Sequence, residues 1–290
     1  MLGAPLSKPR SFFLVILSLS FASCDGSESR SIDVQLSGLG DLGPGSTYEA
    51  WIASNQGTIS VGRFAVSASD PQTSLELEAD ADAADNATQF LVTVEPAEGD
   101  DPAPSDSRVL AGDFVDGVAT LTATHEDALG ADLTQVTGSY VLETPTTNAI
   151  AEDFSQGVWF LDPAGAPDPS LNLPALAKGW TYEAWIIGDD GPVTTGRFAS
   201  AIGADSDAAG PTAGVDGFPE FPGQDFINPP VDLIGTAAVI TVEPDPDNSE
   251  DPFFLAPLAD TNIENVGPQV LQSMENQADE NPPSGIATIR

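Results

Sequence analysis

The chain has 290 residues, with 8 Lys+Arg against 45 Asp+Glu and a formal net charge of −37. Such a body repels phosphate backbones and anionic headgroups, which excludes nucleic-acid binding. Because 41% of the residues are hydrophobic, the acidity is not disorder; it reads as solubility in a salty medium or, alternatively, as a means of binding divalent cations or a basic partner.

Lys8 and Arg10 precede the apolar run SFFLVILSLS, and FAS then precedes Cys24. A basic start, a short apolar stretch and small residues before a cut site predict a secretory signal over residues 1–23. FASC resembles the bacterial lipoprotein lipobox, with Phe21 in place of the usual leucine. The resemblance implies cleavage after Ser23 and acylation of Cys24. The chain would then be held outside the cytoplasm by lipid, on the inner or the outer membrane. Cys24 is the only cysteine, so no disulfide can form within one chain. Residues 24–31 read as a polar tether, and no later stretch reaches the roughly 18 apolar residues of a spanning helix.

Next in chain order comes GSTYEAWIASNQGTISVGRF, residues 45–64, which returns as GWTYEAWIIGDDGPVTTGRF, residues 179–198. Tyr48, Trp51, Gly62, Arg63 and Phe64 recur 134 residues later as Tyr182, Trp185, Gly196, Arg197 and Phe198. A second block, FLVTVEP, recurs as AVITVEP, with Glu95 and Glu243 separated by 148. The extra 14 residues fall in GADSDAAGPTAGVDGFPEFPGQDFINPP, a Gly/Pro/Asp-rich loop. Each YEAWI segment, polar turn and GRF segment reads as a hairpin; the VEP runs read as strands covered on both faces. GVATLTAT, GSYVLETPT, GVWFLDP and GIATIR add strands. Residues 267–280 are the one helix candidate, with Val270, Leu271 and Met274 at helical spacing. The pattern predicts an all-β protein of two tandem, related antiparallel β-sandwich units with long acidic Gly/Pro loops, 32–135 and 136–290. SYVLETPT and VWFL, lying between the copies, could complete either sheet.

The set YEAWI…GRF with VTVEP…VLAG resembles the extracytoplasmic domain of anti-sigma-K factors, over residues 33–114 and again 171–260. The resemblance implies an all-β sandwich outside the membrane. In that family a transmembrane helix and a cytoplasmic helical domain hold the sigma factor. Neither has a counterpart in this sequence, so sigma-factor binding is not carried over.

Two of the few arginines stand in the repeated GRF. We expect Arg63 to pair with Glu95 or Glu49, and Arg197 with Glu243 or Glu183, because the guanidinium fork grips a carboxylate across strands. Trp51 and Trp185 read as packing residues. His125 beside Glu126 and Asp127 reads as solvated, so no catalytic residue and no enzymatic activity is expected. Acidic loops offer weak calcium candidates: Asp80, Asp82 and Asp85 in one, Asp245, Asp247, Ser249 and Asp251 in the other. Both lack the glycine and glutamate of an EF-hand. The sequence thus reads as a lipid-anchored extracytoplasmic binding, scaffolding or sensory module with an unknown envelope partner. A calcium-dependent surface module is the alternative, and a two-carboxylate glycan enzyme ranks behind both.

Overall fold

The computed structural model describes residues 28–67, 72–247, 249–278 and 282–290; the signal segment and Cys24 lie outside these. The chain is nearly all β, 45% strand and 4% helix, in two large antiparallel sheets. The first half supplies β1 (Ser29–Ser37), β2 (Ser46–Ser54), β3 (Gly57–Phe64), β4 (Thr73–Asp80), the short helix α1 (Ala81–Asp85), β5 (Gln89–Pro96), β6 (Arg108–Val115) and β7 (Val118–Thr122). The second supplies β8 (Thr137–Leu142), α2 (Ile150–Asp153), β9 (Gly157–Trp159), β10 (Leu161–Asp162), β11 (Asp168–Pro169), β12 (Leu171–Asn172), β13 (Trp180–Gly188) and β14 (Gly191–Phe198). After these come β15 (Gly223–Asp225), β16 (Ala237–Pro244), β17 (Leu258–Asp260), β18 (Gln272–Asn276) and β19 (Ser284–Ile289). Residues 29–31, expected in the tether, therefore already belong to β1, where they pair with β4.

The two copies of the hairpin fold alike. Gly57 at φ +104° and Gly191 at φ +106° leave the turns of β2–β3 and β13–β14, a backbone region that only glycine enters freely. Ala50 and Ala184 each face a bulge, at Val61–Gly62 and Thr195–Gly196, which bends β3 and β14 at the same place. Tyr48 stacks on Phe64 with centroids 5.4 Å apart and Tyr182 on Phe198 at 5.9 Å.

Strand order makes the duplication complete and shows how it is closed. The first sheet runs β3-β2-β5-β6-β7-β19-β1-β4 and the second β14-β13-β16-β17-β18-β8-β9-β15, with β12 also on β8. The sixth place in the first sheet is filled by β19, from the far end of the second half, and in the second sheet by β8, from the start of that half. β8 follows β7 in the chain but enters the second sheet; β19 follows β18 but enters the first. Unit boundaries at 32–135 and 136–290 must therefore be corrected, since the strand Ser284–Ile289 belongs with the first unit. The slots ask for the same side chains. Gly285 lies opposite Leu36 and Gly138 opposite Leu171. A Cβ on Gly285 would meet Leu36 Cδ2 at 2.7 Å, and one on Gly138 would meet Leu171 Cδ2 at 2.9 Å.

The described part of the expected helix 267–280, residues 267–278, is not helical. Gly267 at φ +94° and Gln269 at φ +60° interrupt any helix, and β18 takes its hydrogen bonds from β17 and β8 instead. Met274 turns inward, whereas Val270 and Leu271 stay exposed.

One continuous core, from Ile32 to Ala287, runs through both halves. At the junction Ser107 donates to Gly179 O at 2.9 Å, and Asp245 N donates to the same oxygen at 2.8 Å. Gly179, at φ +89°, presses on the Asp106 backbone so closely that a Cβ would sit 2.3 Å from its carbonyl carbon.

Candidate functional site

Polar groups on the repeated strands form two matching clusters. Cross-strand register sets Glu49 opposite Arg63 and Glu183 opposite Arg197. Arg63 Nε donates to Glu49 Oε2 at 2.6 Å and Arg197 Nε to Glu183 Oε2 at 2.8 Å. Ser60 hydroxyl and, 134 residues on, Thr194 hydroxyl cap the other carboxylate oxygen. Each guanidinium then reaches a loop aspartate with Nη2, Asp100 in one half and Asp247 in the other. Around Arg197 the pull of burial on its pKa is outweighed by Glu183 and Asp247, so the net shift is upward.

Glu95 and Glu243 do not take the arginines. Glu95 Oε1 accepts Ser105 N and Glu243 Oε1 accepts Phe253 N, both at 2.8 Å, so each carboxylate ties the following loop back to its strand. Trp51 Nε1 donates to Thr93 Oγ1 and Trp185 Nε1 to Thr241 Oγ1, both at 2.8 Å. Both indoles are buried, so neither offers a face to a sugar.

Between the clusters lies an acidic cleft of about 400 Å³ lined by Glu95, Asp100, Asp101, Asp106 and Asp247 with Pro96, Pro244 and Pro246. Arginine already neutralises Asp100 and Asp247, and Lys178 reaches Asp106 at 2.7 Å. A larger cleft of about 830 Å³ opens between the halves, bordered by Leu39, Leu129, Leu133, Phe254, Leu255 and Pro257. Ser37, Thr124, Asp132 and Thr134 line it as well, so it offers a partner an apolar surface with polar groups along it.

The calcium candidates do not converge. Asp80 accepts Asp82 N and Ala83 N as the cap of α1, Asp82 holds Gln56 at 2.7 Å, and Asp85 holds Arg30 at 2.9 Å. Asp247 serves Arg197 and Ser249 N, Ser249 hydroxyl donates to Asp251 O, and Asp245 contributes its amide to Gly179. Among the described residues no three His, Cys, Asp or Glu side chains stand together as a metal-holding group. His125 Nδ1 accepts the Asp127 amide at 3.1 Å and its Nε2 faces Asp113 at 3.7 Å, contacts that fix a loop. Sequence reasoning missed Asp100, which lies 37 residues from its arginine, and the four polar side chains of the β14–β15 seam described below.

With this geometry in view, residues 20–108 match the family model described as "Anti-sigma-K factor rskA, C-terminal". The match covers β1 to the start of β6 and bears out the resemblance in the first unit. The second copy of the motif lies outside it. No curated protein and no solved structure matches the chain.

Proposed function

We propose that the chain is a lipid-anchored extracytoplasmic module that binds, scaffolds or senses at the cell envelope, allied to anti-sigma-factor signalling. The observation that carries this reading is the match of its first unit to the C-terminal anti-sigma-K domain. Two further features support it. The repeated polar residues are spent on bracing each unit, and the tryptophans that a glycan site would expose are buried. The tether places the double unit outside the membrane, where the apolar cleft between the halves faces envelope proteins. Sigma-factor contact is not part of the reading.

The test takes the full chain and its Cys24→Ser variant in a bacterial host. Wild type should take up a fatty-acid label and sediment with membranes, and the variant should do neither. Deleting the gene should change transcripts of a sigma-factor regulon. Wild type that stays unlabelled and soluble would reject the anchor; an unaltered transcript profile would reject the signalling role.

A further inference from the structure

Sheet edges are where the two copies differ. In the first sheet, edge strands β3 and β4 close on each other through hydrocarbon: Val61 and Leu77 pack on the core, and Leu77 Cδ2 comes within 3.1 Å of the position a Cβ on Gly62 would take. Thr195 stands 134 residues after Val61, the spacing of the hairpin repeat. Register places Gln224 opposite Val158 as it places Leu77 opposite Ile32. The same seam between β14 and β15 has thus lost its valine and leucine to a hydroxyl and an amide. The loop joining those strands adds Asp205 and Asp207.

Each of these four side chains has one oxygen that no donor among the described residues reaches, and the Asp205 and Asp207 carboxyls lie within hydrogen-bonding reach of each other. Thr195 Oγ1, Asp205 Oδ1, Asp207 Oδ1 and Gln224 Oε1 are half of the eight buried side-chain N and O atoms without a hydrogen-bond partner among the described residues. Thr195 is 1% exposed and Gln224 2%. A buried acceptor left unpaired is costly, so four in one seam call for a ligand. The geometry draws them together. Asp207 Oδ1 and Asp205 Oδ1 lie 2.6 and 2.8 Å from the single point where a Cβ on Gly196 would sit. Asp205 Oδ2 accepts Gly223 N at 2.8 Å, next to Gln224. Gln224 Oε1 lies against Gly210, 2.6 Å from its Cβ position, in the turn that Asp207 O closes by accepting Gly210 N at 3.0 Å. Glycine at 196 lets Asp205 and Asp207 pack directly on the β14 backbone, and glycine at 210 does the same for Gln224.

We propose that this seam is a calcium site, with Asp205, Asp207 and Gln224 as oxygen ligands, Thr195 hydroxyl at its margin, and water completing the shell. All the orphaned atoms are oxygens, three of them with lone pairs only. A hard cation satisfies them together, whereas a neighbouring donor could satisfy one. Two carboxylates are fewer than a stand-alone acidic cluster would bring, which fits the modest affinity of extracellular calcium modules. Bound there, the ion would fasten the long loop to both sheet edges. The inference is independent of the signalling role proposed above.

The experiment is thermal unfolding of the full chain after chelator treatment, with and without millimolar calcium chloride, beside the double variant D205N/D207N and the seam variant T195V/Q224L. Wild type should gain roughly 4 °C or more in Tm, reversed by chelator, with one ion per chain by calorimetric titration. D205N/D207N should fold with a metal-free Tm at least equal to wild type and lose the response. T195V/Q224L should bind at least tenfold more weakly. A wild-type Tm indifferent to calcium, or a response that survives in D205N/D207N, overturns the proposal.

Discussion

Glu243 accepts the backbone amide of Phe253 at 2.8 Å, yet its second oxygen, Oε2, is buried without a partner. Burial accordingly pushes Glu243 up to about 7. Its twin Glu95 makes the same loop tie to Ser105. Because the folded-state value lies above the unfolded one, stability is lost progressively as pH rises from the ordinary glutamate range to about 7, and the loss is complete above it. Glu243→Gln should therefore leave the Tm near pH 5 unchanged and raise it near pH 9, followed by circular dichroism. An equal loss at both pH values would contradict this account.

The same sign holds at the other buried carboxylates that shift. Asp205 is pushed up to about 8, and burial also raises Asp225 and Glu143. The native state then binds more protons than the unfolded chain between roughly pH 4 and pH 8, so stability falls as pH rises across that window. Self-repulsion at a net charge of −37 acts in the same direction. In chelator, the Tm should decline steadily from about pH 5 to about pH 9; a rise over that range would refute the assignment.

Arg63 and Arg197 brace buried carboxylates while remaining 36% and 32% exposed. Their removal should therefore fall between the exposed limit, below about 1 kcal/mol, and the buried limit of about 3–5 kcal/mol. We expect Arg63→Met to cost roughly 2 kcal/mol in urea unfolding because Glu49 keeps only Ser60. Arg197→Met should cost about the same through Glu183. A cost of zero for both would mean the pairs are ornaments of the surface.

Gly179 is one point where the halves touch, its carbonyl accepting from Ser107 Oγ at 2.9 Å. Gly179→Ala adds a Cβ 2.3 Å from the Asp106 carbonyl carbon at a φ of +89°. The expected loss is roughly 3 kcal/mol or more, with faster hydrogen exchange around Ser107 and Asp245. Stability equal to wild type would show that the junction gives way freely.

Hairpins and VEP strands were legible because alternation and repetition both mark them. The β14–β15 seam was hidden in a loop where one aspartate looks like another, and only its three-dimensional counterpart, Val61 with Leu77, shows what changed. Asp100 and Asp247 were equally hidden, 37 and 50 residues from the arginines they serve. Strand exchange escaped local reasoning because β8 and β19 both open with a small polar residue and a glycine, and either suits either slot. The helix expected near Met274 failed because tertiary pairing with β8 and β17 overrode a short run of helical spacing.

The clasp between β1 and β19 has a mechanical consequence. The strands are antiparallel with Ile32 beside Ile289, so Ser29 and Arg290 emerge at the same end of the pair. A pull between those two residues peels the ladder open one rung at a time instead of loading every rung in shear. Once β19 lifts away, the first sheet stands open between β7 and β1 while the second, which holds β8, keeps all its strands. Traction between those two residues would thus undo the halves in order, the first half before the second.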